Sequence, residues 1–391
     1  MKKLLLPLAF ASIAATSWAV TPLWLRDVKI SPDGSSIAFT YKGDIYKVAA
    51  NGGTAQRLTT QPSYESNPVW SPDGKSIAFA SDRNGNMDVY LMSANGGKAT
   101  RLTTNSTNEI PESFTPDGKN VLFSAAIQDV ASSAQFPSSR LTEVYSVPVT
   151  GGRITQLLST PALQISYSPD GDFFLYNDQK GFEDEWRKHH TSSVTRDVWR
   201  YDTKTGKHTN LTNRAGEDRN PVLSVDGKTV YLLSERNGNT FNVYSFPIDN
   251  PSAVKQLTNF KTHPVRFLSQ GADGTLAFTY DGEIYTKKGD AAPRKVNIDL
   301  MLDEENPIKK YSVSSSNEAT VSPDGKQVAF VNRGELFVTS VEYPTTKQIT
   351  STPAAERQPA WAPDNRTIAY TSEREGHPNI SVSYTHLRAH E

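Results

Sequence analysis

One tetrapeptide recurs along the chain and dictates how it can fold. It reads SPDG at 31–34, 71–74, 168–171 and 322–325, TPDG at 115–118, SVDG at 224–227, GADG at 271–274 and APDN at 362–365. Successive copies start 40, 44, 53, 56, 47, 51 and 40 residues apart, the spacing of propeller blades. In the best-kept copies Pro at the second place presets φ and Gly closes a type I turn. Each copy therefore predicts a tight turn between two short strands.

The unit at 71 shows the logic. Asn67 to Trp70 is a short extended run, 76–81 (SIAFAS) a second strand, 83–86 (RNGN) a hairpin loop and 88–93 (DVYLMS) a third strand. Asn95-Gly96-Gly97 turns again, and 99–103 (ATRLT) is a fourth. Four antiparallel strands joined by tight turns make one blade. Other units repeat the parts, with Asp44-Ile45-Tyr46 and Glu283-Ile284-Tyr285 on third strands and 56–59 (QRLT) and 255–258 (KQLT) on fourth strands. No segment holds a helical apolar period over three turns, which excludes a helical solenoid.

Composition agrees. At 391 residues the chain exceeds one ordinary core, so two domains or a repeat architecture is expected. Its 24 Gly, 24 Pro, 16 Tyr and 16 Phe suit short strands and hairpins. Lys and Arg total 41 against 42 Asp and Glu, a balance that argues against nucleic acid as a partner. With no cysteine, disulfides, thiolate zinc sites, iron–sulfur clusters and a cysteine nucleophile are excluded.

The repeats do not read as one ring. Residues 296–315 break the pattern, and it restarts crisply at Asn317. The expected organisation is all-β: a six-bladed propeller over 20–296, a linker over 297–315, and the first two blades of a second, incomplete propeller over 316–380. The eighth unit is expected to stop after its second strand (367–372) and 378–380. Residues 381–391 (SVSYTHLRAHE) abandon the repeat and resemble a foreign tail that ends a truncated reading frame. At the other end, Lys2 and Lys3, an apolar run from Leu4 to Ala15, and Ser17-Trp18-Ala19 have the form of a secretory signal peptide over 1–19. The run is too short to span a bilayer, so the mature protein is expected in the periplasm with no membrane association.

Several stretches go beyond a generic propeller. Trp24-Leu25-Arg26 leads into 30–34 (ISPDG) and 41–46 (YKGDIY); the insert 180–199 (KGFEDEWRKHHTSSVTRDVW) is distinctive; and 318–325 (EATVSPDG) is followed by 333–338 (RGELFV). Over about 22–380 these resemble the N-terminal part of a Tricorn-type protease in its secreted bacterial form. That resemblance implies a six-bladed propeller, then a seven-bladed one, then a PDZ-like module and a serine-protease core. It implies that the propellers gate and channel peptides or unfolded polypeptide toward that core, with a homo-oligomer as a possible assembly. The family's catalytic residues lie in the core, so none is carried over and no cofactor is implied. The turn tetrapeptide alone is shared with TolB-like binding scaffolds and with the propellers of prolyl-oligopeptidase-like peptidases, and both remain alternative readings.

Other constellations carry less. No Gly-x-Ser-x-Gly elbow, Gly-rich phosphate loop or His-Glu-x-x-His helix occurs. Ser252 and Lys255 match Ser-x-x-Lys only by letters and read as a surface turn. Asp82, Asn84, Asn86 and Asp88 alternate like a calcium loop, but Met87 and Ser93 stand where the EF-hand template needs Gly and Glu, so a polar hairpin is expected. His189 and His190, with Glu183, Asp184, Glu185 and Asp197, would be a poor metal site, since adjacent strand residues point to opposite faces. Trp186, Arg187 and Trp199 in the same insert are of interface types. Asp33, Asp73, Asp117, Asp170, Asp226 and Asp324 recur inside turns and are expected to serve them.

Overall fold

The computed structural model describes residues 19–20, 22–127, 141–181, 191–237, 240–301 and 318–385. Within these the chain is all-β, built of seven four-stranded units and one three-stranded unit. Blade 1 comprises Arg26–Ile30, Ser36–Tyr41, Asp44–Ala49 and Gly53–Arg57. Blade 2 comprises Glu65–Trp70, Ser76–Ser81, Asp88–Ser93 and Thr100–Arg101. Blades 3 to 6 begin at Glu109, Ala162, Asp218 and Arg266. Innermost strands of successive blades pack on one another, and Arg26–Ile30 also packs on Arg266–Gln270, which closes six blades into a ring.

The turn tetrapeptide explains itself in hydrogen bonds. Gly74 N donates to Ser71 O at 2.9 Å. Ser71 Oγ donates to Asp73 Oδ1 at 2.6 Å and accepts from Ser76 N at 2.9 Å, while Asp73 Oδ1 accepts from Lys75 N at 3.1 Å. The same pattern recurs around Asp33, Asp117, Asp170, Asp226 and Asp324. The bond from the Ser or Thr hydroxyl, then the backbone N–H, holds these six carboxyls below the usual carboxylate range. These carboxylates are thus engaged by their own turns.

The Leu-Thr pair just past the fourth strand, Ile-Thr in blade 7, has its own job. Thr59, Thr103, Thr212, Thr258 and Thr350 each present Oγ1 to the N–H of a third-strand residue, at 2.8–2.9 Å. This fixes the outer strand where its ladder is only two to five residues long. Opposed aromatics lock the second and third strands: Phe39 with Tyr46, Phe79 with Tyr90, Phe123 with Tyr145 and Phe278 with Tyr285 stack at 5.7–6.2 Å.

The chain leaving blade 6 does more than connect. Ile298–Met301, at the head of the stretch expected to be a linker, runs parallel to the outer strand of blade 1, pairing Leu300 with Ala55. Leu300 is fully buried and Val296 and Ile298 nearly so, in the cluster that also holds Ile30, Ile37 and Ala277. The segment therefore clasps the last blade to the first. Ala19–Val20 pairs with its far side.

Blade 7 (Ala319–Val321, Gln327–Asn332, Glu335–Ser340, Thr346–Gln348) and blade 8 (Glu356–Trp361, Thr367–Ser372, Asn379–Tyr384) pack on each other as the start of a second, incomplete propeller. Blade 8 has a third strand that the sequence reading did not expect, because its apolar residues alternate with serines and end at Tyr384. Residues 386–391 lie outside the described residues.

Candidate functional site

A propeller offers function two places: its axis, where innermost strands converge, and its faces, where loops gather. At the axis every ring blade carries a β-bulge. The ladder between first and second strands slips between Arg26 and Lys29, Ser66 and Val69, Pro111 and Ser113, Leu163 and Ser166, Arg219 and Val222, and Arg266 and Ser269. In five blades the bulged residue sits at left-handed φ: Asp27 at 51°, Asn67 at 53°, Gln164 at 58°, Asn220 at 53° and Phe267 at 56°. Asp and Asn tolerate that region best among side-chain-bearing residues. Blade 3 has Pro111 at the equivalent place, where φ cannot turn positive, and Glu112 takes over its role.

The bulge turns backbone N–H groups out of the blade, and the neighbouring blade's bulge side chain accepts them. Asn67 N donates to Asp27 Oδ2 at 3.2 Å, Gln164 N to Glu112 Oε2 at 2.8 Å, Asn220 N to Gln164 Oε1 at 2.8 Å and Leu268 N to Asn220 Oδ1 at 2.8 Å. Asn220 Nδ2 returns a bond to Leu268 O at 3.1 Å. The result is a polar belt around the axis. Phe267 has no acceptor to continue it, and there Ile30 N donates instead to Ser269 Oγ at 3.0 Å. Gln358 and Glu318 repeat the device in blades 8 and 7, at 3.2 Å. Half-buried Lys29 stands beside the belt, and burial lowers the pKa of its ammonium against the opposing pull of Glu112 and Asp27. Asp27, Glu112 and Gln164 stay half-exposed. A belt of this make-up can hydrogen-bond and pair with an extended polypeptide.

On one face, blades 7 and 8 dock onto blades 1 and 6. Arg333 Nη2 donates to Asp44 Oδ1 at 2.8 Å, to Ser63 O at 3.0 Å and to Gly43 O at 3.3 Å. Lys42 Nζ reaches Glu335 and Thr352 O, and Tyr41 Oη donates to Pro353 O at 2.6 Å. Burial pushes the Glu335 carboxyl up against the pull of Lys42, and the Asp44 carboxyl up against Arg333 and Arg57. The stretch 333–335 (RGE), one of those that carried the family resemblance, is thus the docking hairpin. On the blade 6 side the His263 and His377 rings stack at 6.2 Å, with His263 Nε2 3.4 Å from Asp281 Oδ1.

The residues weighed from sequence are scattered. Asp82 Oδ1 accepts from Tyr64 N at 2.7 Å, Asn84 accepts from Tyr90 Oη, Asn86 donates to Asn105 O and Thr107 O, and Asp88 pairs with Arg101 at 2.8 Å. Each of these four side chains is thus engaged by its own hairpin or a neighbouring loop. Ser252 and Lys255 are exposed, and Lys255 pairs with Asp290 at 3.1 Å. Asp197 accepts from Lys180 at 2.9 Å, and Trp199 stacks on Tyr176 at 6.4 Å. Glu183, Asp184, Glu185, Trp186, Arg187, His189 and His190 lie outside the described residues. The belt escaped the sequence reading. Its signal was a polar residue four places ahead of the turn, followed by Pro at Asn67-Pro68, Asn220-Pro221 and Gln358-Pro359; Pro inside a strand marks a bulge or an edge.

A closed six-bladed ring with an axial polar belt, followed by the beginning of a second ring, defines a tandem β-propeller protein. Residues 22–292 match the family of the Tricorn protease N-terminal beta propeller domain, and the chain belongs to that family. Among solved structures, the tricorn protease superposes with a TM-score of 0.60 at 21% identity, covering 94% of this chain and 36% of its own. TolB from Acinetobacter baumannii gives 0.51 at 19%, covering 72% of this chain and 65% of its own. An uncharacterized protein of Agrobacterium fabrum is 26% identical over 219 residues, 53% of this chain and 66% of that protein. An uncharacterized peptidase of Bacillus subtilis, YuxL, is 25% identical over 227 residues, 57% of this chain and 31% of that protein. The chain thus spans less than two thirds of these curated relatives.

Proposed function

We propose that this chain is the non-catalytic propeller portion of a Tricorn-like periplasmic serine protease, and that it gates or channels peptides and unfolded polypeptide toward a protease core C-terminal to it. The observation that carries this reading is the second set of blades. The tricorn protease covers 94% of the chain, blades 7 and 8 included, whereas the TolB likeness covers 72%. The belt supports it chemically, because half-exposed carboxylates and amides around an axis suit a passing backbone. The periplasmic part rests on residues 1–19. A TolB-like scaffold remains the second reading, supported by the ring alone.

The purified chain should bind unfolded polypeptide, measured by fluorescence anisotropy, and should not hydrolyse it. Asp27→Asn with Glu112→Gln should weaken that binding severalfold. Turnover of peptides abolished by a serine-directed inhibitor would overturn the non-catalytic reading. Cell fractionation of the full chain tests the compartment, and recovery in the cytoplasm with 1–19 uncleaved would refute that part.

A further inference from the structure

Among the described residues, two aromatic side chains are held at left-handed φ, Trp24 at 67° and Phe267 at 56°. For bulky residues this region is a genuine outlier. Such strain persists only where the surroundings impose it, and it gathers at binding sites. The surroundings of Trp24 do impose it. Leu25 N donates to Gly282 O at 2.8 Å, and a Cβ at Gly282 would stand 3.0 Å from Trp24 N. Both aromatics line one cavity of about 580 Å³ between the ring and blade 8, a size that suits a small ligand or a side chain. Leu25, Pro264 and Pro378 extend its apolar wall. Its charges balance: Arg26 and Arg357 share the space with Asp27, Glu318, Glu356 and Glu373, so an ion of either sign gains little there. Phe267 also stands at the bulge of blade 6, where other ring blades place Asp27, Asn67, Gln164 and Asn220. The apolar gap in the belt and the wall of the cavity are thus one side chain.

We propose that this cavity is a side-chain subsite of the axis, taking a bulky apolar side chain, aromatic above all, from a polypeptide whose backbone bonds to the belt. Trp24 and Phe267 offer ring faces and edges to such a group, and burial of its apolar surface supplies the affinity. The imposed conformation of Trp24 sets its ring in the wall before a ligand arrives, so less ordering is left for the binding step. The polypeptide rests on the function proposed above; the preference for an aromatic side chain rests on the cavity.

The experiment titrates the full chain, by fluorescence anisotropy, with dye-labelled Gly-Ser peptides that differ only at one central residue, Phe, Leu, Ala, Lys or Glu. The Phe peptide should bind about tenfold tighter than the Ala peptide, the worth of one buried ring, with Leu between them and Lys and Glu no tighter than Ala. Phe267→Asn installs the residue that blades 2 and 5 carry at this bulge and this φ. It should fold and bring the Phe peptide down to the level of Ala. Trp24→Asn, again tolerant of left-handed φ, should do the same. Equal binding of the Phe and Ala peptides, tighter binding of the Lys or Glu peptide, or a Phe preference unchanged in either variant with native circular dichroism overturns the proposal. A long unfolded polypeptide without aromatic or large aliphatic residues, and N-acetylphenylalanine amide, are run alongside. Binding of the polypeptide without discrimination among the short peptides sinks only the subsite. Failure of the polypeptide to bind, while N-acetylphenylalanine amide binds the unaltered chain and not Phe267→Asn, sinks only the channelling reading.

Discussion

The ring and the two blades that follow it are built from the same repeat, yet they are held together differently. Each ring blade is sandwiched between two neighbours, and the ring's clusters each contain seven or more buried apolar residues. The cluster shared by blades 7 and 8 has five. Blade 8 has one uncovered face, along which Ile380, Val382 and Tyr384 are 82%, 51% and 48% exposed. What joins this pair to the ring is a polar seam through Arg333, Lys42 and Tyr41. A propeller blade is stable through its neighbours, so the same sequence motif yields a tight unit in one place and a loose one in the other.

The largest expected effect lies in the ring core. Phe79 is fully buried and stacks on Tyr90 at 5.9 Å, and Phe79→Ala should destabilise the ring by about 3–5 kcal/mol. The equivalent Phe330→Ala, at a half-buried site stacked on Phe337 at 5.6 Å, should cost the ring nothing measurable. Chemical denaturation read by fluorescence and by proteolysis of each region checks the contrast, and equal losses would break it.

Next comes the belt. Asn220→Ala removes the acceptor of Leu268 N and leaves a side-chain-bearing residue at φ 53° without its local bonds. A loss of about 1–3 kcal/mol is expected, measured by the same denaturation. Asn220→Asp keeps the acceptor for Leu268 N and should recover part of it.

The seam should follow. Arg333→Gln removes one of the two charged partners of Asp44, leaving Arg57, and should speed proteolysis within 318–385 severalfold while the ring's melting temperature stays within about 1–2 °C. Smaller still is the pH effect. Glu373 retains its proton to about pH 8, whereas an exposed Glu loses it near 4.3. Its raised value favours docking fully at acid pH, and that contribution is lost as pH climbs between these values. Limited proteolysis of blades 7 and 8, corrected for protease activity, should quicken from pH 5 to 8.5, and Glu373→Gln should flatten the trend.

Much of this was legible because turns speak locally. Ser71-Pro72-Asp73-Gly74 carries its hydrogen bonds within itself, so the recurring turn gave the blade count, the runs flanking it gave the strand order, and the irregular stretch 296–315 marked where the second set of blades begins. The belt was not legible, because Asn67 and Asn220 take their meaning from a neighbouring blade, 40 and 48 residues away in sequence. Leu300 was hidden for the same reason: four residues carry no period, and only packing against blade 1 reveals a strand. Glu373 and Arg357 look like ordinary surface charges until the second set of blades folds back onto the first.

Hydrogen exchange across the whole chain tests the central contrast most directly. The account predicts slow exchange in the third strands of the ring, for example 89–92, and exchange at least tenfold faster in the paired strands 327–332 and 335–340 of blade 7, as a separate cooperative unit. Exchange of both regions at one rate, lost together on destabilisation, would contradict it and make ring and blades a single folding unit.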